Sequence, residues 1–319
     1  MNVKSINKKK TDKKKIKFFN NVFRYKELLF MLAVPAVYLI INNYLPMIGI
    51  IIAFKDYRFD LGVFGSAWSG LDNFRYLLAT QDAWIITRNT LGFNLIFIAL
   101  DILIPVTLAV LFNELRGKFK AKIYQTVMLF PYFLSMILVS YLIYALLSPA
   151  NGFVNMRVLP ALGIEPVRWY LEVKAWPFIL PMTHVWKTAG YTTIMYLASI
   201  TSIDPVYYEA IAIDGGGKWK QIRYITLPFL QPLIIILALL AVGRIFTSDF
   251  GLFYQVPMNS GALFRVTNVI DTYVYRALLQ TNDIGMASAA GFYKAVMGFA
   301  LVMISNAVIR RINPEWALI

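Results

Sequence analysis

The chain has no cysteine and a single histidine, His184, in 319 residues. A disulfide framework and a thiolate metal site are therefore excluded, and a multi-histidine metal centre cannot form within one chain. Carboxylates are also scarce, 17 against 31 Lys and Arg. No HExxH, no GxSxG and no nucleophile paired with histidine at a recognisable spacing occurs, so no catalytic constellation stands out and the chain does not read as an enzyme. The lack of cysteine is silent about compartment in a sequence this apolar.

What the chain has instead is hydrophobic residues, 59% of the total, more than an ordinary soluble domain carries. Its net charge of +14 would suit nucleic acid, but ten of the 31 Lys and Arg fall in the first 27 residues, a short tail ahead of a long apolar run. That placement points to membrane lipids and away from nucleic acid: residues 1–15 suit the anionic inner leaflet, and Ile16, Phe18, Phe19, Val22 and Phe23 suit a short interfacial helix. The apolar run from Leu28 to Phe54 is too long for the core of a signal peptide. The chain thus divides into a basic tail, 1–26, and a membrane domain, 27–319.

Hydropathy predicts an all-α membrane protein with six transmembrane helices, at 28–54, 83–112, 123–147, 175–200, 227–248 and 285–309. Pro35 and Pro46 should kink the first. The segment 249–284 begins irregularly around Gly251, Pro257 and Gly261 and later suits a short surface helix at Val269–Leu279. Six spans put both termini on one side. Outside the spans, that side holds nineteen Lys and Arg against eight on the other, which places the termini and the loop 201–226 in the cytoplasm.

That loop contains the most specific stretch of the chain, Tyr208–Pro228. Asp204–Pro205 suits a helix start, since Asp caps and Pro at the first helical position loses no needed donor. Gly215 to Gly217 then allow a sharp turn, after which a second short helix should lead into the next span. Gly215-Gly216-Gly217-Lys218 looks like a phosphate loop, but Ala212 and Trp219 stand where a Walker A needs Gly and Ser or Thr, so this chain binds no ATP itself.

Charges inside spans are costly, about 3 kcal/mol at mid-helix, and face protein or a water-filled cavity. His184, Lys187 and Tyr191 share one face of span four, with Thr183 and Thr188 beside them. They line a translocation cavity or form a buried polar network that ties helices together. Tyr293 and Lys294 in span six have the same two readings. Arg244, Asp249 and Tyr254, with Phe246, Phe250 and Phe253, are either part of a sugar site or membrane-interface anchors. Asp101 has no evident partner and suits a structural hydrogen bond, and Arg88 can snorkel to the outer surface.

The stretch Glu209-Ala-Ile-Ala212, Asp214-Gly215 and Ile225-Thr-Leu-Pro228 resembles the EAA loop of ABC importer permeases, with Ile211 where the family usually has Ala. Trp68-Ser-Gly-Leu-Asp-Asn-Phe74, Trp186-Lys187 with Gly190-Tyr191, Arg244 to Phe253, Asp271 to Arg276 and Asp283 to Ala287 are similar to one subgroup, the oligosaccharide permeases of type I importers related to the maltose and alginate-oligosaccharide systems. The resemblance covers about residues 25–319 and implies the type I (MetI-like) permease fold in a prokaryotic cytoplasmic membrane. It implies an assembly with a second homologous permease, two ABC ATPase subunits that use ATP and Mg, and an external solute-binding lipoprotein that delivers an oligosaccharide. It also implies that Glu209, Ala210, Ala212, Asp214 and Gly215 form the coupling element against the ATPase. A peptide or amino-acid importer of the same architecture, or an ion-coupled secondary transporter using Asp101, Lys187 and Lys294 as relays, are the alternatives.

Overall fold

In the computed structural model, which describes residues 25–115 and 118–312, the chain is a bundle of helices arranged along one long central helix. The expected interfacial helix of the basic tail lies outside the described residues. Helix α1 (Lys26–Phe54) is regular to Leu39, widens to a π turn at Ile40–Tyr44 and tightens to a 3₁₀ helix at Leu45–Phe54. The expected effects of Pro35 and Pro46 thus appear as changes of helical pitch, because each removes a backbone donor. Most of α1 is exposed, and its last turns pack on the final helix.

The all-helical expectation needs one small correction. Strands β1 (Lys55–Asp56) and β2 (Ala67–Trp68) pair antiparallel, in register Lys55 to Trp68. Lys55 is the cause. Its buried ammonium donates to the carbonyls of Val63 at 2.8 Å, Phe64 at 3.1 Å and Ser66 at 3.1 Å, closing the loop between the strands. Helix α2 (Asp72–Ala79) follows, fixed by Asn73, whose amide donates to the carbonyls of Ala53 and Lys55, both at 3.0 Å.

Helix α3 (Gln81–Asn113) has 33 residues, about 50 Å at 1.5 Å per residue. It contributes to three apolar cores in turn. Ala83 and Ile86 meet Ile270, Ala289 and Ala290; Phe93 and Phe97 meet Trp176, Leu180 and Phe253; Val106 and Ala109 meet Tyr196, Leu197 and Leu230.

The predicted third span is not one helix. Helix α4 (Lys118–Leu129) ends in a 3₁₀ turn, Phe130–Phe133, and α5 (Met136–Leu147) leaves at a bend of 101°. Pro131 withholds a donor, Leu134 is extended (φ −72°, ψ 137°), and Ser135 starts a new helix by accepting from the Leu138 amide at 3.3 Å.

Helix α6 (Trp176–Thr201) matches the fourth span within a residue. Helix α7 (Pro205–Ile213) precedes α8 (Lys218–Gly243), which corrects a second expectation. The separate short helix and a span beginning at Leu227 are replaced by one helix from 218, ending at 243 and not 248. A π turn at Ile222–Thr226 lets the helix continue past Pro228 without the donor that the proline lacks. Helices α9 (Ile270–Leu279) and α10 (Ile284–Ile312) complete the chain.

Among the described residues, four helices are long and apolar enough to cross a membrane: α1, α3, α8 and residues 284–307 of α10. The bent α4–α5 pair makes five if it is counted as one span. Helix α6 is long enough, 26 residues or about 39 Å, but His184, Lys187 and its threonines make it too polar to count by composition. Apolarity alone therefore gives four or five spans where six were expected.

Helix α6 lies against the backbone of α4 at Gly190, where an added Cβ would sit 2.1 Å from the Met128 carbonyl oxygen. Two helix backbones can approach this closely only without a side chain between them. Gly190→Val is expected to cost about 3 kcal/mol, as overpacking against an unyielding backbone does. A lower midpoint of thermal unfolding in detergent checks this; a wild-type midpoint would contradict the close approach.

Candidate functional site

Asp204 and Pro205 open α7 as their chemistry requires: the Asp204 carboxylate accepts from the Val206 amide at 3.0 Å, and Pro205 occupies the first turn. The helix closes with a two-bond cap. The Gly215 amide donates to the Ala212 carbonyl at 3.1 Å and the Gly216 amide to the Ile211 carbonyl at 2.8 Å. Such a cap needs a left-handed residue after the helix, and Gly215 supplies it with φ +73°. A Cβ at Gly216 would lie 2.3 Å from Ile211 Cγ2, so the bulkier Ile211 is accommodated by glycine there.

No residue of α7 is buried. Glu209, Ala210, Ala212 and Asp214 are exposed, and Val206, Tyr207 and Ile213 add an apolar surface, Ile213 being 85% exposed. The helix is fastened from behind. Tyr208 shares a hydrogen bond of 3.1 Å with the Thr226 hydroxyl, and Gln221 donates to the Tyr208 carbonyl at 3.2 Å. Glu209 borders a cleft of about 290 Å³ together with Glu114 and Lys218, which pair at 2.9 Å between the end of α3 and the start of α8.

The polar stripe of α6 is split between two neighbours. His184 Nε2 lies 3.0 and 3.1 Å from the two carboxylate oxygens of Asp101 on α3, its ring stacks on Phe97 with centroids 4.0 Å apart, and Thr188 donates to Asp101 at 3.2 Å. Asp101 thus has the structural partners its position called for. Lys187 points to the bent α4–α5 pair. Its ammonium donates to the carbonyls of Leu134 at 2.5 Å, Tyr132 at 3.1 Å and Pro131 at 3.5 Å, and Tyr191 stacks on Tyr132 with centroids 4.5 Å apart. Asp101 and Tyr191 both line a cavity of about 200 Å³ between α3, α6 and α8.

The remaining candidates lie elsewhere. Lys294 on α10 pairs with Asp271 on α9 at 2.5 Å, and Asp271 also accepts from the Ser248 amide at 2.8 Å. Lys294 borders a separate cavity of about 420 Å³ between α8 and α10. Tyr293 shares a hydrogen bond of 3.2 Å with Thr87 on α3. Tyr254 packs with Phe250 and Tyr275, while Asp249 accepts from the Leu252 amide at 3.1 Å and Arg244 is exposed at the end of α8. Within one chain, then, the predicted residues do not line a single cavity. Sequence reasoning missed Asn89, buried and donating to the carbonyls of Arg265 and Asn268, and Arg276, which holds Asn259, Asn268 and Thr272. No local pattern marks Asn89, whose partners are 176 and 179 residues away, whereas Arg276 ends the Asp271 to Arg276 stretch and binds residues 4, 8 and 17 positions before it.

Residues 101–314 match the family described as binding-protein-dependent transport system inner membrane component. The polygalacturonan/rhamnogalacturonan transport system permease protein YteP of Bacillus subtilis (strain 168) is 33% identical over 294 residues, 92% of this chain and 91% of that one. A crystal structure of a bacterial ABC transporter involved in the import of the acidic polysaccharide alginate is similar with a TM-score of 0.85 and 31% identity, covering 93% of this chain and 99% of that one. A crystal structure of a bacterial alginate ABC transporter in complex with an alginate pentasaccharide-bound periplasmic protein is similar with a TM-score of 0.83 and 31% identity, covering 92% and 97%.

Replacing Lys187 by Met keeps the stem and removes the donor, leaving the Tyr132 and Leu134 carbonyls unpaired at the bend. The expected cost is about 2 kcal/mol, the usual range for a charged donor to neutral acceptors. Denaturant unfolding in detergent checks it, with Met182→Ala, at a 77% exposed position of the same helix, as control. If the two variants are equally stable, Lys187 does not hold the bend.

Proposed function

The chain belongs to the family of binding-protein-dependent transport system inner membrane components, and from that footing we propose that it is the permease subunit of an ATP-driven importer that carries an oligosaccharide into the cytoplasm by alternating access. It is an integral component of the inner membrane, and its family is a transport component and not a catalyst. The observation that carries the reading is the likeness to polysaccharide importers over more than nine-tenths of the chain, which includes the candidate coupling segment.

The assembly in this reading comprises a second, homologous permease, two ABC ATPase subunits that use ATP and Mg, and an external solute-binding lipoprotein. The chain crosses the membrane six times with both termini cytoplasmic: α6 and the bent pair join the four apolar helices, their polar groups turned into protein and toward the pathway. ATP drives such a cycle only if it binds the two states with different free energy, and α7 is where that difference enters this chain. An exposed helix with apolar Val206, Tyr207 and Ile213 beside the carboxylate of Glu209 is the kind of surface that docks in a partner's groove. Its cap at Gly215 and its bonds to Thr226 and Gln221 make it a lever on α8.

Tyr191, 46% exposed beside the bend, is the stripe residue best placed to meet substrate in this reading. The relay reading of an ion-coupled transporter has less behind it, since Asp101, Lys187 and Lys294 are each engaged by different partners.

Glu209→Lys reverses a charge on the docking surface without touching the fold, because the side chain is exposed. In the assembled complex it is expected to lower ATPase co-purification and substrate-stimulated ATP hydrolysis by about tenfold, the scale of placing a wrong charge in an interface. Normal assembly with normal stimulation would remove Glu209 from the coupling surface.

A further inference from the structure

One cavity lies away from the coupling segment and from the α6 stripe. It measures about 570 Å³ and opens where α3 and α6 begin, with Arg88, Lys174 and Arg265 around its mouth and no carboxylate in its lining. All three cations are exposed, and among the described residues none forms an ion pair. Arg88 is nevertheless held in place. Its Nη2 donates to the Arg265 carbonyl at 2.8 Å and to Asn89 Oδ1 at 2.9 Å, which leaves Nη1 without a partner among the described residues. Three unneutralised positive charges around a concave site attract an anion.

The cavity continues as an apolar groove. On α3, Gly92 and Ile96 line the basic cavity, and Leu100 and Ile104, four and eight residues after Ile96, wall a second one of about 390 Å³. On α6, Pro177 lines the first cavity and Pro181 and Val185 the second. Residues four apart share a helix face, so both cavities follow one seam between α3 and α6, basic at one end and apolar along the rest. From Gly92 to Ile104 the seam runs about 18 Å, close to the roughly 15 Å depth of one leaflet's hydrocarbon.

We propose that this seam is a binding site for one anionic phospholipid, its phosphate among Arg88, Lys174 and Arg265 and an acyl chain along Ile96, Leu100 and Ile104. A neutral lipid leaves the three cations unanswered. A carboxylated saccharide answers them, but its hydroxyls find no partners along Leu, Ile, Pro and Val, and burying them unpaired is costly. Charge and shape together select a molecule with one anionic end and one hydrocarbon end.

The test uses the delipidated full chain and the assembled transporter, each in neutral detergent. Native mass spectrometry counts retained phosphatidylglycerol against phosphatidylcholine of the same chain length, and thermal unfolding gives the midpoint with each lipid. Phosphatidylglycerol should be retained selectively and raise the midpoint. The triple variant Arg88→Gln, Lys174→Gln, Arg265→Gln should bind it about a hundredfold more weakly, since each near-surface cation is worth about fivefold. Ile104→Trp, which fills the apolar arm and leaves the charges intact, should also lower retention and guards against misfolding of the triple variant. Equal retention of the two lipids, or unchanged retention in both variants, overturns the site. So does protection by a galacturonate trisaccharide where phosphatidylglycerol gives none, which makes the pocket a saccharide site. Binding to the isolated chain that disappears on assembly overturns it as well, since the seam is then an interface between permeases.

Discussion

Inside a bilayer an unpaired peptide carbonyl has no water to turn to, and that constraint shapes the centre of this molecule. The sharp bend between α4 and α5 leaves the carbonyls of Tyr132 and Leu134 without helical partners, and one ammonium, that of Lys187, answers both, while the Pro131 carbonyl also pairs with the Leu134 amide. A lysine in mid-helix is affordable only if α6 turns that face into protein. Helix α6 does so by lying along α3, where Asp101 meets His184 and Thr188, and by letting the α4 backbone come close at Gly190. The polar stripe, the bend and the glycine contact lie together where α6 meets its neighbours.

The ends of the bundle are joined to this centre through α3 and α8. Glu114 and Lys218 pair across the two helices on the side of α7, an exposed contact worth little alone. The Tyr208–Thr226 bond and the Gln221–Tyr208 bond tie α7 to the first turns of α8. At the other end Asp271 links three segments, accepting from the Ser248 amide just past α8 and from Lys294 on α10 while sitting on α9.

Features set by neighbouring residues were legible in the sequence. Asp204–Pro205 starts a helix and Gly215 ends it because capping chemistry is local, and α6 and α9 fell within a residue of their predicted ranges. The bend within the predicted third span was not legible from hydropathy; Pro131 followed by Ser135 carried the signal, a lost donor and then a fresh cap. Pairings were least accessible. Asp101 finds His184 83 residues away, and Arg88, which alone looks like a side chain reaching for the surface, meets Arg265 at a separation of 177. No periodicity encodes such meetings; the packing of α3 against its neighbours creates them.

Alternating access powered by a partner ATPase is the central claim, and transport in sealed vesicles tests it most directly. The full assembly, with the second permease, both ATPase subunits and the solute-binding protein, is reconstituted with ATP on the cytoplasmic face and a labelled oligosaccharide with its binding protein on the other. The account predicts uptake that requires both ATP and the binding protein and is indifferent to an imposed proton or sodium gradient. Uptake by this chain that follows the gradient and continues without the ATPase subunits would contradict it.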